Sequence, residues 1–413
     1  ILCARLAPCF NSMDNSRHCF LFGLFPMSQT LTVLGGISAE QFLTEYWQKK
    51  PLLVRAAMPE AIGLLEPNDI QELALEEHVS ARLIRQKNKN PNEWHVKSSP
   101  LTKGDFQKLP NLWTVLIQAV DHYSFDIAEL WKNFAFIPQW RRDDIMVSYA
   151  PKGGSVGKHF DFYDVFLVQA HGHRRWQLGQ MCAASTELLP NQPLKLLAEM
   201  DIQFDEVPAP GDMLYVPPGL SHYGVAEDEC LTFSFGFRMP NIADMMDRAS
   251  EQFANNSTLK NPLLDLARHG AATIGEINQT ELAYLKGKLF DYFSQAPEFN
   301  AAIMAYMSEC KYPEHLPESE EINAQDLADI LNDGYALTLE PAAKLLYTQQ
   351  GDVLDFWANG EAICVSTVFE PYLQRLANAE RFAFDEQFNQ PALLQDIALL
   401  LNNAVLMLLP PNE

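Results

Sequence analysis

The stretch Pro151-Lys-Gly-Gly-Ser-Val-Gly-Lys-His159-Phe160-Asp161-Phe-Tyr163-Asp164 decides the reading of this chain. His159 and Asp161 are two residues apart, so on a strand both side chains leave the same face and Phe160 leaves the other. The glycines just upstream let backbone come close to a bound centre. One imidazole and one carboxylate form a mixed N/O ligand pair. A further imidazole would complete a facial triad of the kind that holds Fe(II) with open coordination positions. His222 is the candidate. It closes the segment Gly211-Asp-Met-Leu-Tyr-Val-Pro-Pro-Gly-Leu-Ser-His222, a strand and tight turn that would return the chain to the same end of a barrel. The His-x-Asp pair alone is weak evidence, because such pairs are common on surfaces and in turns.

The residues between the two candidate ligands strengthen the case. Tyr163 to Leu178 reads as a hairpin turning at Gly172. On its second strand Arg174, Trp176 and Leu178 share one face, and Arg175 and Gln177 share the other. If the aromatic face points inward, the Arg174 guanidinium is buried and needs an anionic partner. A bound carboxylate would supply one in bidentate form. The reverse orientation would place Arg175 inside. His171 and His173 flank Gly172, where a turn would splay them apart, so they read as turn residues.

Working outward, the period of two extends from about Asp144 to Arg238. Apolar runs at Ile145–Tyr149, Val165–Gln169, Arg174–Leu178, Met213–Val216 and Leu231–Phe237 alternate with Gly and Pro turns, which indicates a β-barrel or sandwich. Upstream, Ser38 caps a helix to Lys49, Pro51–Arg55 reads as a strand, and Asn68 caps a second helix. Strands follow at 79–86 and 93–98. Leu112–Tyr123 and Ile127–Phe134 have helical patterns. Beyond Pro240 the period is helical again, with helices at Ile242–Ala254 and within 279–308. A polar linker at 313–321 leads to a helix capped by Asn323, three short strands with an Asn359-Gly360 turn, and two terminal helices, the last spanning Ala392–Leu409.

Composition bounds the function. The 413 residues include 53 acidic and 30 basic side chains, for a net charge of −23. Such a chain is a poor nonspecific ligand for nucleic acid and a plausible surface for a basic partner. The small C-terminal module looks like a winged helix, yet residues 313–413 hold only Lys344, Arg375 and Arg381 as basic residues. A DNA-binding winged helix needs a basic face. Seven scattered cysteines without a CxxC pair fit a reducing, cytoplasmic setting, and no apolar run is long enough to span a membrane. Residues 1–30 read as an extension outside the fold.

Taken together, the motifs resemble a known family. His-x-Asp, an arginine fifteen residues after the histidine within Gly172-His-Arg-Arg-Trp176, the segment Gly211–His222, and a closing Ser234-Phe-Gly-Phe-Arg238 are similar to the JmjC-type 2-oxoglutarate oxygenases, and within them to the bacterial ribosomal oxygenases. Trp47-Gln-Lys-Lys-Pro-Leu-Leu53 extends the similarity upstream, so that it runs from about Leu31 to the C-terminus.

The resemblance implies an α+β fold in which a double-stranded β-helix (31–240) is followed by a helical dimerisation segment (241–312) and a winged-helix-like domain (313–413). It implies that His159, Asp161 and His222 bind Fe(II) and that Arg174 holds the distal carboxylate of 2-oxoglutarate. Ser148 and Thr232 would be small polar contacts to the cosubstrate; Thr232 stands where Asn is expected. The implied activity is hydroxylation of an arginine on a basic large-subunit ribosomal protein, using O2 and releasing succinate and CO2, by a cytoplasmic homodimer. Tyr163 and Asp164 are candidates to grip the substrate guanidinium. Lysine demethylation on the same scaffold, or a non-catalytic cupin-like scaffold, are the alternatives.

Overall fold

In the computed structural model the described residues are 28–87, 93–110, 112–254, 257–264, 275–295, 297–318, 321–383 and 390–411. The expected N-terminal extension therefore lies, for residues 1–27, outside the described residues.

The barrel strands are β1 (Leu52–Val54), β2 (Ala81–Gln86), β3 (Trp94–Ser98), β4 (Trp113–Ile117), β5 (Arg142–Ala150), β6 (Asp164–His171), β7 (Arg174–Met181), β8 (Phe204–Glu206), β9 (Met213–Val216), β10 (Leu220–Ala226) and β11 (Cys230–Phe237). They form an eight-stranded sheet, β1-β9-β6-β11-β5-β4-β2-β3, and a three-stranded sheet, β10-β7-β8. Every pairing is antiparallel. This is the double-stranded β-helix that the sequence implied.

The two faces of the large sheet do different jobs. On one face Val147, Phe166, Phe233, Phe235 and Phe237 pack under the N-terminal helices with Phe42 and Phe134, in one continuous core. Ring centroids lie 4.6 Å apart for Phe134–Phe166 and 4.8 Å for Phe166–Tyr215, close aromatic contacts that add to simple burial. The opposite face carries the alternate residues, among them Asp144, Ser148, Thr232 and Ser234, and looks into the barrel. Period-two alternation thus separates a structural face from a chemical one.

Three local expectations change. Leu112–Tyr123 is not a helix, because Trp113–Ile117 is a strand hydrogen-bonded between β2 and β5. Four of its five residues are buried, so the alternation that marks a strand is lost. The second helix runs Pro67–Leu73 and is capped by a Glu66/Asp69 box rather than by Asn68. The last helix stops at Asn402, and Leu406–Leu409 turns back as a strand against Ala336–Leu339.

Helices at Ile242–Ala254, Gln279–Gln295 and Pro297–Ser308 follow the barrel. The C-terminal module has helices at Ala324–Asn332, Glu370–Ala377 and Pro391–Asn402, with a hairpin of Leu345–Gln350 and Val353–Ala358. Asn359 and Gly360, both at positive φ, make the next turn, as Asn-Gly predicts. Arg381 bridges this module to Glu129 of the barrel at 2.6 Å. Among the described residues no helix is long and apolar enough to cross a membrane.

Candidate active site

His159 and His222 meet through the backbone. His159 N–H donates to the His222 carbonyl at 3.1 Å, and His222 N–H returns the bond at 2.8 Å. This is an isolated antiparallel bridge, so His159 sits beside β10 without belonging to a strand. The chain follows an irregular path after Gly157 (φ +90°). Phe160 consequently lines the same cavity as His159 and Asp161 instead of facing away.

The tautomers are fixed locally. His159 Nδ1 lies 3.0 Å from the Gly157 carbonyl and His222 Nδ1 lies 3.0 Å from the Leu220 carbonyl. A carbonyl only accepts, so both Nδ1 atoms carry a proton and both Nε2 atoms are left turned towards Asp161, the ring orientation expected of metal-binding histidines. Asp161 Oδ2 lies 3.5 Å from His159 Nε2 and 3.7 Å from His222 Nε2. All three donor atoms fall within 4.8 Å of one another. Gly219 N–H holds the Asp161 carbonyl at 2.7 Å, tying the Pro-Pro-Gly turn to the site.

The three groups bias one another: burial disfavours a charged His159, but the Asp161 carboxylate and the Gly157 carbonyl outweigh it and raise its proton affinity. Burial opposes ionisation of Asp161, yet His159, His222 and a hydrogen bond from Tyr163 outweigh it and hold the carboxyl well below the usual carboxylate range. Burial, with His159 alongside, pushes His222 down to about 4, so its imidazole is neutral at physiological pH.

Arg174 points inward. It is 2% exposed and shares its face with buried Trp176 and Leu178, while Arg175 is outside with Glu227 and Asp205. The Arg174 guanidinium lies 5.8 Å over the Trp176 ring, its Nη2 reaches only the Cys230 Sγ at 3.5 Å, and its Nε is buried without a partner. A cation this deep with an orphaned donor is a socket for an anion. The cavity it lines measures about 440 Å³ and also contains the three clustered donors. Two imidazoles and a carboxylate suit Fe(II), and the orphaned guanidinium suits the far carboxylate of a dicarboxylic acid, so the residues fit both groups.

Other expected residues separate. Ser148 lines the cavity and donates to the Thr232 carbonyl at 3.4 Å. Thr232 is Ser148's cross-strand partner, and its hydroxyl donates to Gln169 Oε1 at 3.0 Å. Tyr163 lines the cavity. Asp164 does not: it is fully buried and accepts from the Tyr215 hydroxyl at 2.6 Å, Gln48 Nε2 at 2.9 Å and Arg141 at 3.1 Å. It locks the N-terminal segment to the barrel and cannot reach a substrate. His173 pairs with exposed Asp228, consistent with a turn.

Two of the residues that sequence reasoning missed are Asp143 and Asp144, which line the cavity together with Lys311. Lys311 Nζ reaches Asp143 at 2.6 Å and Asp144 at 3.3 Å. The period-two register of β5 could have revealed Asp144, which lies on the face of Met146 and Ser148. Lys311 had no local signal.

A JmjC-domain family model matches residues 129–245, and a ROXA-like winged-helix model matches 293–407. A probable ribosomal oxygenase of Haemophilus influenzae is 44% identical over 359 residues, covering 83% of this chain and 87% of that one. The chain belongs to the JmjC-domain ribosomal oxygenases.

Other matches to this JmjC-domain ribosomal oxygenase extend along its length. The ribosomal protein uL16 3-hydroxylase of Escherichia coli is 29% identical, covering 88% of this chain and 95% of that one. The structure of the Escherichia coli ribosomal oxygenase YcfD in complex with cobalt and 2-oxoglutarate superposes with a TM-score of 0.78 at 27% identity, covering 92% of this chain and 99% of that one.

Proposed function

We propose that this ribosomal oxygenase hydroxylates an arginine side chain of a basic large-subunit ribosomal protein, using Fe(II), 2-oxoglutarate and O2. The observation that carries the reading is the convergence of His159, Asp161, His222 and the unpaired Arg174 guanidinium on one cavity. The 2-oxoglutarate bound in the YcfD structure and the uL16 hydroxylase relative support the cosubstrate and the substrate class.

His159 and His222 would ligate through Nε2 and Asp161 through a carboxylate oxygen. When bound, iron and 2-oxoglutarate supply oxidation of an unactivated C–H bond, with one oxygen atom of O2 entering succinate and the other the product. The protein's own part is orientation. Arg174 would fix the distal carboxylate with paired N–H donors, next to the Ser148 hydroxyl. Tyr163 donates to Asp161, which steadies that carboxylate, and its ring forms cavity wall. A substrate guanidinium would meet this wall, and Asp143 and Asp144 are the other carboxylates that face the cavity.

We also assign the helical segment 241–312 to homodimer contact. It is supported by exposed apolar side chains in series, including Ile242, Leu264, Leu289 and Phe290. Sedimentation should give a dimer mass.

The activity is tested by incubating the iron-loaded protein with 2-oxoglutarate and ribosomal large-subunit proteins. Succinate should form in step with one hydroxylated arginine, and His159→Ala should abolish both. Loss of a methyl group instead would turn the reading to demethylation; no turnover of 2-oxoglutarate would leave a scaffold.

A further inference from the structure

A second cavity of about 410 Å³ lies at the seam between the barrel and the C-terminal module. Trp131, Gln139 and Arg142 form its barrel side; Thr338, Glu340 and Lys344 form its C-terminal side. Its polar inventory does not balance.

Among the described residues, eight buried side-chain nitrogen or oxygen atoms have no hydrogen-bond partner, and they are not scattered at random. Arg174 and Gln118, which carry two of them at Nε and Nε2, are residues of the active-site cavity's wall. Gln139, Arg142 and Lys344, whose Oε1, Nε and Nζ are three more of these atoms, are residues of the seam cavity's wall. The reasoning that makes Arg174 an anion socket therefore applies a second time, with two cations in place of one.

The neighbouring carboxylates cannot serve them. Asp121 accepts from Trp131 Nε1 at 2.8 Å and from Ile145 N–H at 2.9 Å. Glu129 is held by Arg381 at 2.6 Å, and Asp143 by Lys311 at 2.6 Å. Glu340 forms no ion pair among the described residues, and burial pushes its carboxyl up to about 7. Arg142 has only the Trp131 ring, 5.5 Å from its guanidinium carbon. Lys344 is 7% exposed, and burial pulls its ammonium down to about 8.

We propose that the seam cavity binds a small organic anion that also bears a hydroxyl group, a hydroxycarboxylate or a phosphate monoester. Its anionic oxygens take Arg142 and Lys344, and its hydroxyl donates to Gln139 Oε1. The cavity volume exceeds what a bare ion needs and suits a molecule of several carbons. Such a ligand would touch both halves of the protein at once. Lys311 lines both cavities, so the seam adjoins the wall of the active site.

The test is titration calorimetry on the full chain with two probes, citrate and glycerol phosphate, which separate the carboxylate from the phosphate source. One of them should bind with a single-site isotherm. Binding should survive Arg174→Met, which excludes the active-site socket. It should weaken about tenfold or more in Lys344→Met and in Gln139→Glu, which places a carboxylate of the protein's own in the site. Lys344→Met removes an unpaired buried charge, so without ligand its melting temperature should match or exceed the native value, and lost binding is then not lost folding. Should Lys344→Met fail to fold, Gln139→Glu alone decides. No saturable binding of either probe at millimolar concentration, binding unaffected by the folded seam variants, or binding lost in Arg174→Met would each overturn the proposal.

Discussion

His159 and His222, sixty-three positions apart in the chain, exchange a reciprocal pair of backbone hydrogen bonds that brings their ring centroids to 4.2 Å. The backbone itself thus sets the spacing of two proposed ligands, and Asp161 closes the triangle. The ligand set is preorganised, with both Nδ1 protons already committed to carbonyls. His222→Ala should therefore lose bound iron with little change in fold. Metal analysis of the purified variant, with circular dichroism as control, checks this; full iron occupancy would exclude His222 as a ligand.

Arg174→Met should separate cosubstrate binding from metal binding. Two charge-assisted hydrogen bonds are worth about 1.5–3 kcal/mol each, less what solvent reclaims, so the KM for 2-oxoglutarate should rise about a hundredfold. Iron content should stay at the native level. Steady-state succinate formation across 2-oxoglutarate concentration is the measurement.

Asp164→Ala should act on stability rather than on substrate. Removing the carboxylate strands the Tyr215 hydroxyl, Gln48 and the partly buried Arg141. Breaking a buried charged network costs about 3–5 kcal/mol. Thermal melts should show a clearly lower Tm, while the KM for the protein substrate of the surviving folded enzyme stays near native.

Glu340→Gln should change the pH dependence of stability. The buried carboxyl titrates near 7 when folded, against 4.5 as the ordinary value. The unfolded chain ionises it more readily, so the native protein loses stability as pH rises from about 4.5 to 7. The loss approaches about 3 kcal/mol above that window. Relative to native, Glu340→Gln should melt higher at pH 8 and equally at pH 4.5.

Much of this was legible before any coordinates. Period-two runs gave β5, β6, β7, β9 and β11 to within a few residues: β5, β6, β9 and β11 have one face in the aromatic core and one in the barrel, while β7 has one face in the barrel and one towards solvent, where Arg175 and Gln177 meet Asp205. The same alternation put Arg174 on one face with Trp176 and Leu178, and burial in the structure shows that face to be the inward one. Where both faces are buried, as at Trp113–Ile117, the alternation vanishes and the strand reads as a helix. Asp164 misled because adjacency to Tyr163 implied a shared environment, but β6 begins at Asp164 and carries its carboxylate to Tyr215, while Tyr163, just before the strand, stays at the cavity. Thr232 does share the face of Ser148, yet Gln169 claims its hydroxyl. Lys311 reaches Asp143 from a segment far along the chain, and no local pattern encodes such a contact.

The most direct test of the central claim is isotope tracing. Large-subunit ribosomal proteins are incubated with the iron-loaded enzyme and 2-oxoglutarate under isotopically heavy dioxygen, then fragmented in a mass spectrometer. One heavy oxygen should appear on a single arginine side chain, and none with His159→Ala. Heavy oxygen absent from every ribosomal peptide, or present equally with the His159→Ala protein, would contradict the account.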